Sequence, residues 1–263
     1  MITFHHRTII FVATLTVLSS VPAGALADAA KAGLAVAQKN DLANQGFVSE
    51  RSVMEMKLIN AHGDVTTRRM KSEILEGKNE GDKSIVVFEW PADVKGTKML
   101  THSKKTGDDQ QWLFLPAIKR VKRISSRNKS GSFMGSEFSY EDLGSQEIEK
   151  FTYELLGETQ SEGRQVWHMK RIPTDKRSGY SKQVLWIDQE YHGPLKIEYY
   201  DRKGDLLKTA LFTDYNKFGK LWRPNQISVT NSQTRKQSVI TWTERALGSE
   251  VDEENFDSDN LAD

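Results

Sequence analysis

The feature that most narrows the fold is a long succession of period-two segments separated by turn chemistry. Met54, Met56 and Leu58 alternate with Glu55 and Lys57, the pattern of a half-buried strand. The turn Ala61-His62-Gly63-Asp64 leads to a second run, 65–76, with Arg68, Met70, Ser72 and Ile74 on one face. Residues 84–90 form a third strand closed by Pro91, and 110–115 form another. Further runs occupy 151–156, 165–172, 182–188, 195–201, 206–215, 223–231 and 237–244. Between them lie turns such as Glu162-Gly163, Lys203-Gly204-Asp205 and Phe218-Gly219-Lys220. Such spacing predicts an antiparallel meander. Residues 96–103 fit either a strand or a short helix. The expected class is mainly β (α+β), with about eleven strands in one large twisted sheet or incomplete barrel.

A sheet of that kind must cover its apolar face. Residues from Asp28 to about Leu42 are Ala-rich, and Ala30, Leu34 and Ala37 repeat at helical spacing. This helix and the segment 130–143 are the available covers. The acidic tail carries Phe256 and Leu261, spaced so that one side docks.

Ahead of the helix, Arg7 precedes an uncharged apolar run, Thr8 to Val21, and then Ala25-Leu26-Ala27. These are the three parts of a secretory signal. The run is short for a membrane span of roughly 20 residues. The expected organisation is a signal peptide over 1–27, cleaved near Ala27/Asp28, and a single soluble domain over 28–263. Without Arg7 the basic and acidic residues balance, since the whole chain has 37 Lys+Arg and 36 Asp+Glu. A nucleic-acid binder would carry a basic excess, so none is expected. Cysteine is absent, which excludes disulfides and thiol nucleophiles.

No constellation for catalysis emerges. His62, His102, His168 and His192 lack a second ligand at metal-binding spacing, so neither a metal nor another cofactor is expected. There is no phosphate-binding loop or dinucleotide fingerprint. Gly131-Ser132-Phe133-Met134-Gly135 fails as a nucleophile elbow because Phe133 holds the central position. Glu141-Asp142 reads as a helix N-terminal or solvated pair. The chain is not expected to be an enzyme.

Residues 111–143 join charge to apolar surface. An aromatic strand breaks at Pro116, and Lys119, Arg120, Lys122, Arg123, Arg127 and Lys129 follow within eleven positions. Phe133 and Met134 then sit in a loop of small residues. The basic run fits a strand edge that hangs its charges into water. Second to that edge role, it also fits contact of Lys119, Arg120, Lys122 and Arg123 with anionic headgroups or an acidic partner. Phe88 and Trp90 share a strand parity, as do Trp112 and Phe114. With Met54, Met56, Phe133, Met134, Phe138 and Tyr140, they fit an ordinary core between sheet and covers. The same face would serve as the wall and lid of an apolar ligand cavity, the role expected of them. Gly131 and Gly135 would let the lid move.

WLFLPAIKRVKRI and GSFMGSEFSYEDL, with Pro116, Phe133, Met134, Gly135 and the run Phe138 to Leu143, resemble the LolA-like family of outer-membrane lipoprotein-sorting proteins. The resemblance spans about Asp28 to Leu261. It implies an unclosed antiparallel β-barrel with helices covering its concave face, and a periplasmic location. It also implies a cavity for acyl chains of lipids or lipoproteins, peripheral membrane contact, and an inner-membrane exporter of the resistance-nodulation-division type as partner. It implies no catalytic residues. The physical need for such a carrier is plain, since each exposed CH₂ costs about 0.8 kcal/mol in water.

Overall fold

The computed structural model describes residues 23–262; residues 1–22, most of the expected signal peptide, lie outside them. Helix α1 (Ala23–Asn44) begins ahead of Asp28 and runs through the expected cleavage position. Thirteen strands follow. The first six are β1 (Ser49–Ile59), β2 (Val65–Leu75), β3 (Lys83–Trp90), β4 (Lys98–His102), β5 (Gln110–Leu115) and β6 (Arg120–Ile124). The remaining seven are β7 (Phe151–Ser161), β8 (Arg164–Pro173), β9 (Tyr180–Asp188), β10 (Pro194–Asp201), β11 (Leu206–Phe218), β12 (Leu221–Asn231) and β13 (Gln237–Leu247). The two strands beyond the expected eleven are β4, from the ambiguous 96–103 segment, and β6, from the basic run.

All thirteen belong to one antiparallel sheet in the order β6-β5-β4-β3-β2-β1-β13-β12-β11-β10-β9-β8-β7. The chain enters at the middle and winds outward to β6. Residues 125–150 then cross to the opposite edge, and β7 to β13 wind back to pair with β1. Among the described residues β6 and β7 do not pair, so the barrel stays open.

The twisted sheet buries side chains on both faces. The concave face carries the larger cluster, including Met56, Met70, Phe88 and Met99, each at most 1% exposed. Burying such a side chain stabilises the fold by about 1.5–3 kcal/mol. The crossing segment and α1 cover this face, as expected. On the convex face a smaller cluster joins Ile85, Leu100 and Phe114 to Phe256 and Leu261 of the tail, so the tail does dock. Gly33 sets how closely α1 approaches β7: a Cβ there would stand 2.8 Å from the backbone nitrogens of Glu154 and Leu155. No described helix is long and apolar enough to cross a membrane.

Candidate functional site

Cross-strand partners in register form rungs across the concave face of β7 to β12. One rung is polar: Tyr153, Arg171, Gln183, Tyr199, Lys208 and Asn231, one from each strand in turn. All six are buried. Two residues along each strand lies an apolar rung of Leu155, Met169, Leu185, Ile197, Ala210 and Val229. Beyond it come Ile187, Phe212 and Ile227. Strand alternation sends all of these side chains to the same face.

A cavity of about 390 Å³ lies against these rungs. Ala37, Asn40 and Asn44 of α1 cover it, with Phe138, Gln146 and Ile148 of the crossing segment. Ala210, the smallest side chain of the apolar rung, lines the cavity where a larger side chain would fill space. The polar rung bounds one end. At the other, His192 Nδ1 lies 3.0 Å from Asn40 Oδ1, while Asn40 Nδ2 is buried without a partner. Burial, and then the nearby Lys39, push the His192 pKa below its ordinary value.

The polar rung ties the crossing segment to the sheet. Lys208 Nζ donates to Asp142 Oδ2 at 2.6 Å and to the Glu137 carbonyl at 2.8 Å. It sits about equally far from the Tyr180 and Tyr199 rings, at 5.3 and 5.2 Å. Tyr180 donates its hydroxyl to Asp142 Oδ1 at 2.8 Å, and the Ser139 amide donates to Asp142 Oδ2 at 2.7 Å. Burial, and then the Asp142 carboxylate, push both tyrosines above their ordinary pKa and keep them as phenols. Neighbouring Glu141 accepts from the Gly179 amide and the Ser178 hydroxyl, both at 2.8 Å. Of the two readings expected for Glu141-Asp142, the structure has the helix N-terminal one, since both lie in the first turn of a short helix (Tyr140–Asp142). Their hydrogen bonds help anchor the cover.

Arg171 has a different setting. Its Nε donates to Gln183 Oε1 at 2.7 Å and its Nη2 to Gln146 Oε1 at 2.9 Å. Its guanidinium stacks 4.1 Å from the Phe151 ring. Gln146 also borders a second, more polar cavity of about 400 Å³ between the β4–β5 turn and the β8–β9 connection. Ion pairs clasp that mouth: Lys150 to Asp109 at 2.5 Å, Arg177 to Asp108 at 2.6 Å and Lys129 to Asp175 at 2.6 Å. They bring the two ends of the open sheet together. Among the described residues no group of three His, Cys, Asp or Glu side chains could hold a metal.

Of the ten residues expected to form the wall and lid, Phe138 alone borders the main cavity. Met54, Met56 and Phe88 do face the concave side, but there the space is filled. Phe133 plugs it, 3% exposed, with its ring centroid 5.8 Å from Phe88 and 6.0 Å from Tyr140. Tyr140 is held by Gln111, whose Nε2 donates to its carbonyl at 2.8 Å. Met134 is half-buried at φ 49°, and its carbonyl accepts from Arg68. Trp90 is 45% exposed at the end of β3, with Arg69 over its ring. Trp112 and Phe114 correct the expectation outright. Leu113 and Leu115 take the concave face of β5, so Trp112 and Phe114 face the tail on the convex side. Lys119, Arg120, Lys122 and Arg123 lie on or next to β6, at the sheet edge, and all are exposed. None has a carboxylate within ion-pair distance among the described residues.

The functional residues that sequence reasoning missed are Arg171, Lys208 and Tyr180. Their one signal was parity: Arg171 follows Trp167 and Met169 at period two, and Lys208 precedes Ala210 and Phe212.

An outer membrane lipoprotein-sorting protein domain from Vibrio parahaemolyticus superposes with a TM-score of 0.87. It has 46% identity over 89% of this chain and 100% of its own. The chain belongs to the LolA-like family of outer membrane lipoprotein-sorting proteins. A DUF1329 family protein from Desulfovibrio piger is similar too, with TM-score 0.84 and 30% identity over 89% of this chain and 99% of that one. A LolA superfamily protein from Nitrosomonas europaea, at 20% identity, shares the fold of this LolA-like chain, with TM-score 0.67 over 86% of this chain and 98% of its own. The family model that matches residues 80–263 is described only as an uncharacterized protein. No curated protein matches the chain.

Proposed function

We propose that this LolA-like protein is a non-catalytic periplasmic carrier that shields acyl chains of a lipid or lipoprotein. Residues 1–27 act as a signal peptide removed near Ala27/Asp28, and 28–263 work as one carrier domain. The observation that carries this reading is the cavity of about 390 Å³ roofed by α1 and the crossing segment and walled by apolar rungs. Pockets that bury small apolar ligands span about 300–1,000 Å³. Native mass spectrometry of the purified protein is the first test, with co-purified lipid expected; apo protein from every preparation counts against the carrier. Ala210→Trp would fill part of the cavity. It should weaken binding of a fluorescent fatty acid at least about tenfold while the protein still melts cooperatively.

A second reading is favoured by the unpaired cations at β6. Lys119, Arg120, Lys122 and Arg123 would dock an acidic surface, either of an exporter of the resistance-nodulation-division type or of anionic headgroups at a membrane. Charge reversal at Arg120, Lys122 and Arg123 should then abolish pull-down of the exporter and leave fatty-acid binding intact. If the reversal changes neither, the basic run serves only to protect the sheet edge.

A further inference from the structure

The polar rung contains one cation that pairs with no carboxylate among the described residues. Lys208 is matched by Asp142 at 2.6 Å. Arg171, only 7% exposed, donates instead to two neutral amide oxygens, those of Gln183 and Gln146. Among the described residues it has no ion-pair partner, and its Nη1 has no acceptor. Arg171 is nonetheless part of the wall of the main cavity. Asp142 is already occupied by Lys208, Tyr180 and the Ser139 amide. The other cavity carboxylate, Asp41, stands on the exposed end of α1 and accepts from Gln45 at 2.6 Å. Of the two cations in the cavity wall, Arg171 and Lys208, Arg171 has no described carboxylate within ion-pair distance.

An unmatched buried charge costs several kcal/mol, and an anion placed against it recovers much of that. A guanidinium suits this role because its planar fork takes a carboxylate or phosphate oxygen pair. Phe151 stacks on the fork, and Gln183 and Gln146 fix its rotation. Along β10 the wall runs from Tyr199 beside Arg171 to Pro194 near His192, roughly 17 Å at about 3.4 Å per residue. Between these ends the wall is apolar. The volume is near the lower limit for a small-molecule pocket, which suits one chain better than several.

We infer that the cavity takes a single-chain amphiphile whose anionic head, a carboxylate or a phosphodiester, sits inside the protein against Arg171. The chain lies along the apolar rungs toward His192. The ion-paired mouth is on the head's side, because Gln146 borders both cavities. This inference rests on the carrier reading and narrows its ligand.

The test compares ligands of equal chain length on the purified protein by calorimetry: palmitate, palmitoyl-lysophosphatidylglycerol and the neutral hexadecanol. At least one anionic ligand should bind about tenfold or more tightly than hexadecanol, and which one does so tells carboxylate from phosphodiester. In Arg171→Met that preference should fall to within about twofold, and Arg171→Lys should keep part of it. Equal binding of anionic and neutral ligands by the unaltered protein overturns the inference and leaves the carrier reading standing. Survival of the preference in a folded Arg171→Met does the same. Binding of none of the three overturns both.

Discussion

Lys208 Nζ on β11 lies 2.6 Å from Asp142 Oδ2 on the crossing segment, with side-chain exposures of 4% and 11%. That contact is one of several that fasten the crossing segment to the sheet beneath it. Its surroundings satisfy both partners: the lysine also reaches the Glu137 carbonyl, and the carboxylate takes the Tyr180 hydroxyl. The pair is thus a complete buried network, the condition under which a buried charge is tolerated.

Removing only one member should be expensive. Lys208→Met leaves Asp142 buried without its cation, and breaking a buried pair in this way costs about 3–5 kcal/mol. The double variant Lys208→Met/Asp142→Asn removes both charges and should recover more than half of that loss. Urea unfolding of the single and double variants measures both values. Additive losses would mean that the two side chains do not interact.

The tail gives a prediction that separates stability from binding. Phe256 is 1% exposed against Leu100 and Phe114 on the convex face. Phe256→Ala should lower stability by about 3–5 kcal/mol, as for other buried aromatics. Fatty-acid affinity, measured where the variant is folded, should not change, because the cavity is on the other side of the sheet. A loss of affinity without a loss of stability would place the tail in the binding machinery.

Much of the sheet was legible because period two and turn chemistry are local signals. The strand count fell short at β4, only five residues long, and at β6, where the basic run fits the strand edge it forms but lies outside the expected eleven. The cavity was less legible, since both faces of β5 are apolar and parity alone cannot say which one faces inward. Trp112 and Phe114 drew attention by size, yet Leu113 and Leu115 hold the concave face. Aromatic and Met-rich strands marked where the space is filled, with Phe133 as plug. The open space lies where Ala210 is small and Arg171 and Lys208 carry charge, residues whose meaning depends on strand partners distant in sequence. The expected covers, α1 and the crossing segment, were identified because a one-sided sheet requires them.

Gly33 tests the seat of α1. Alanine in a helix is ordinarily favoured over glycine by about 1 kcal/mol. Here its Cβ would come within 2.8 Å of the β7 backbone, which cannot yield as a side-chain tip can. Overpacking costs about 1–3 kcal/mol, so Gly33→Ala should be neutral to destabilising and Gly33→Val clearly destabilising. Both should also weaken chain binding, because α1 forms part of the cavity roof. A thermal melt showing Gly33→Ala more stable than the parent would mean that the helix stands further from β7.

Asp82, in the β2–β3 connection, links stability to pH. Burial, with help from Glu147 and Glu76 and against the hydrogen bond from the Gly77 amide, raises its pKa to about 6. In an unfolded chain an aspartate titrates near 3.9. Between those values the folded state holds more protons than the unfolded state, so this group makes stability fall as pH rises from about 4 to 6. Above pH 6 the full cost is present, on the order of 3 kcal/mol. Asp82→Asn keeps an oxygen for the Gly77 amide, 3.0 Å away, and cannot ionise. The variant should match the parent near pH 4 and exceed it by about 3 kcal/mol at pH 7, read from urea midpoints at each pH. Comparing the two proteins cancels the other carboxylates, whose acid titration acts in the opposite direction where hydrogen bonds and cations depress them, as at Asp188. A difference that stays flat across this range would show that the Asp82 carboxyl is as well solvated in the fold as outside it.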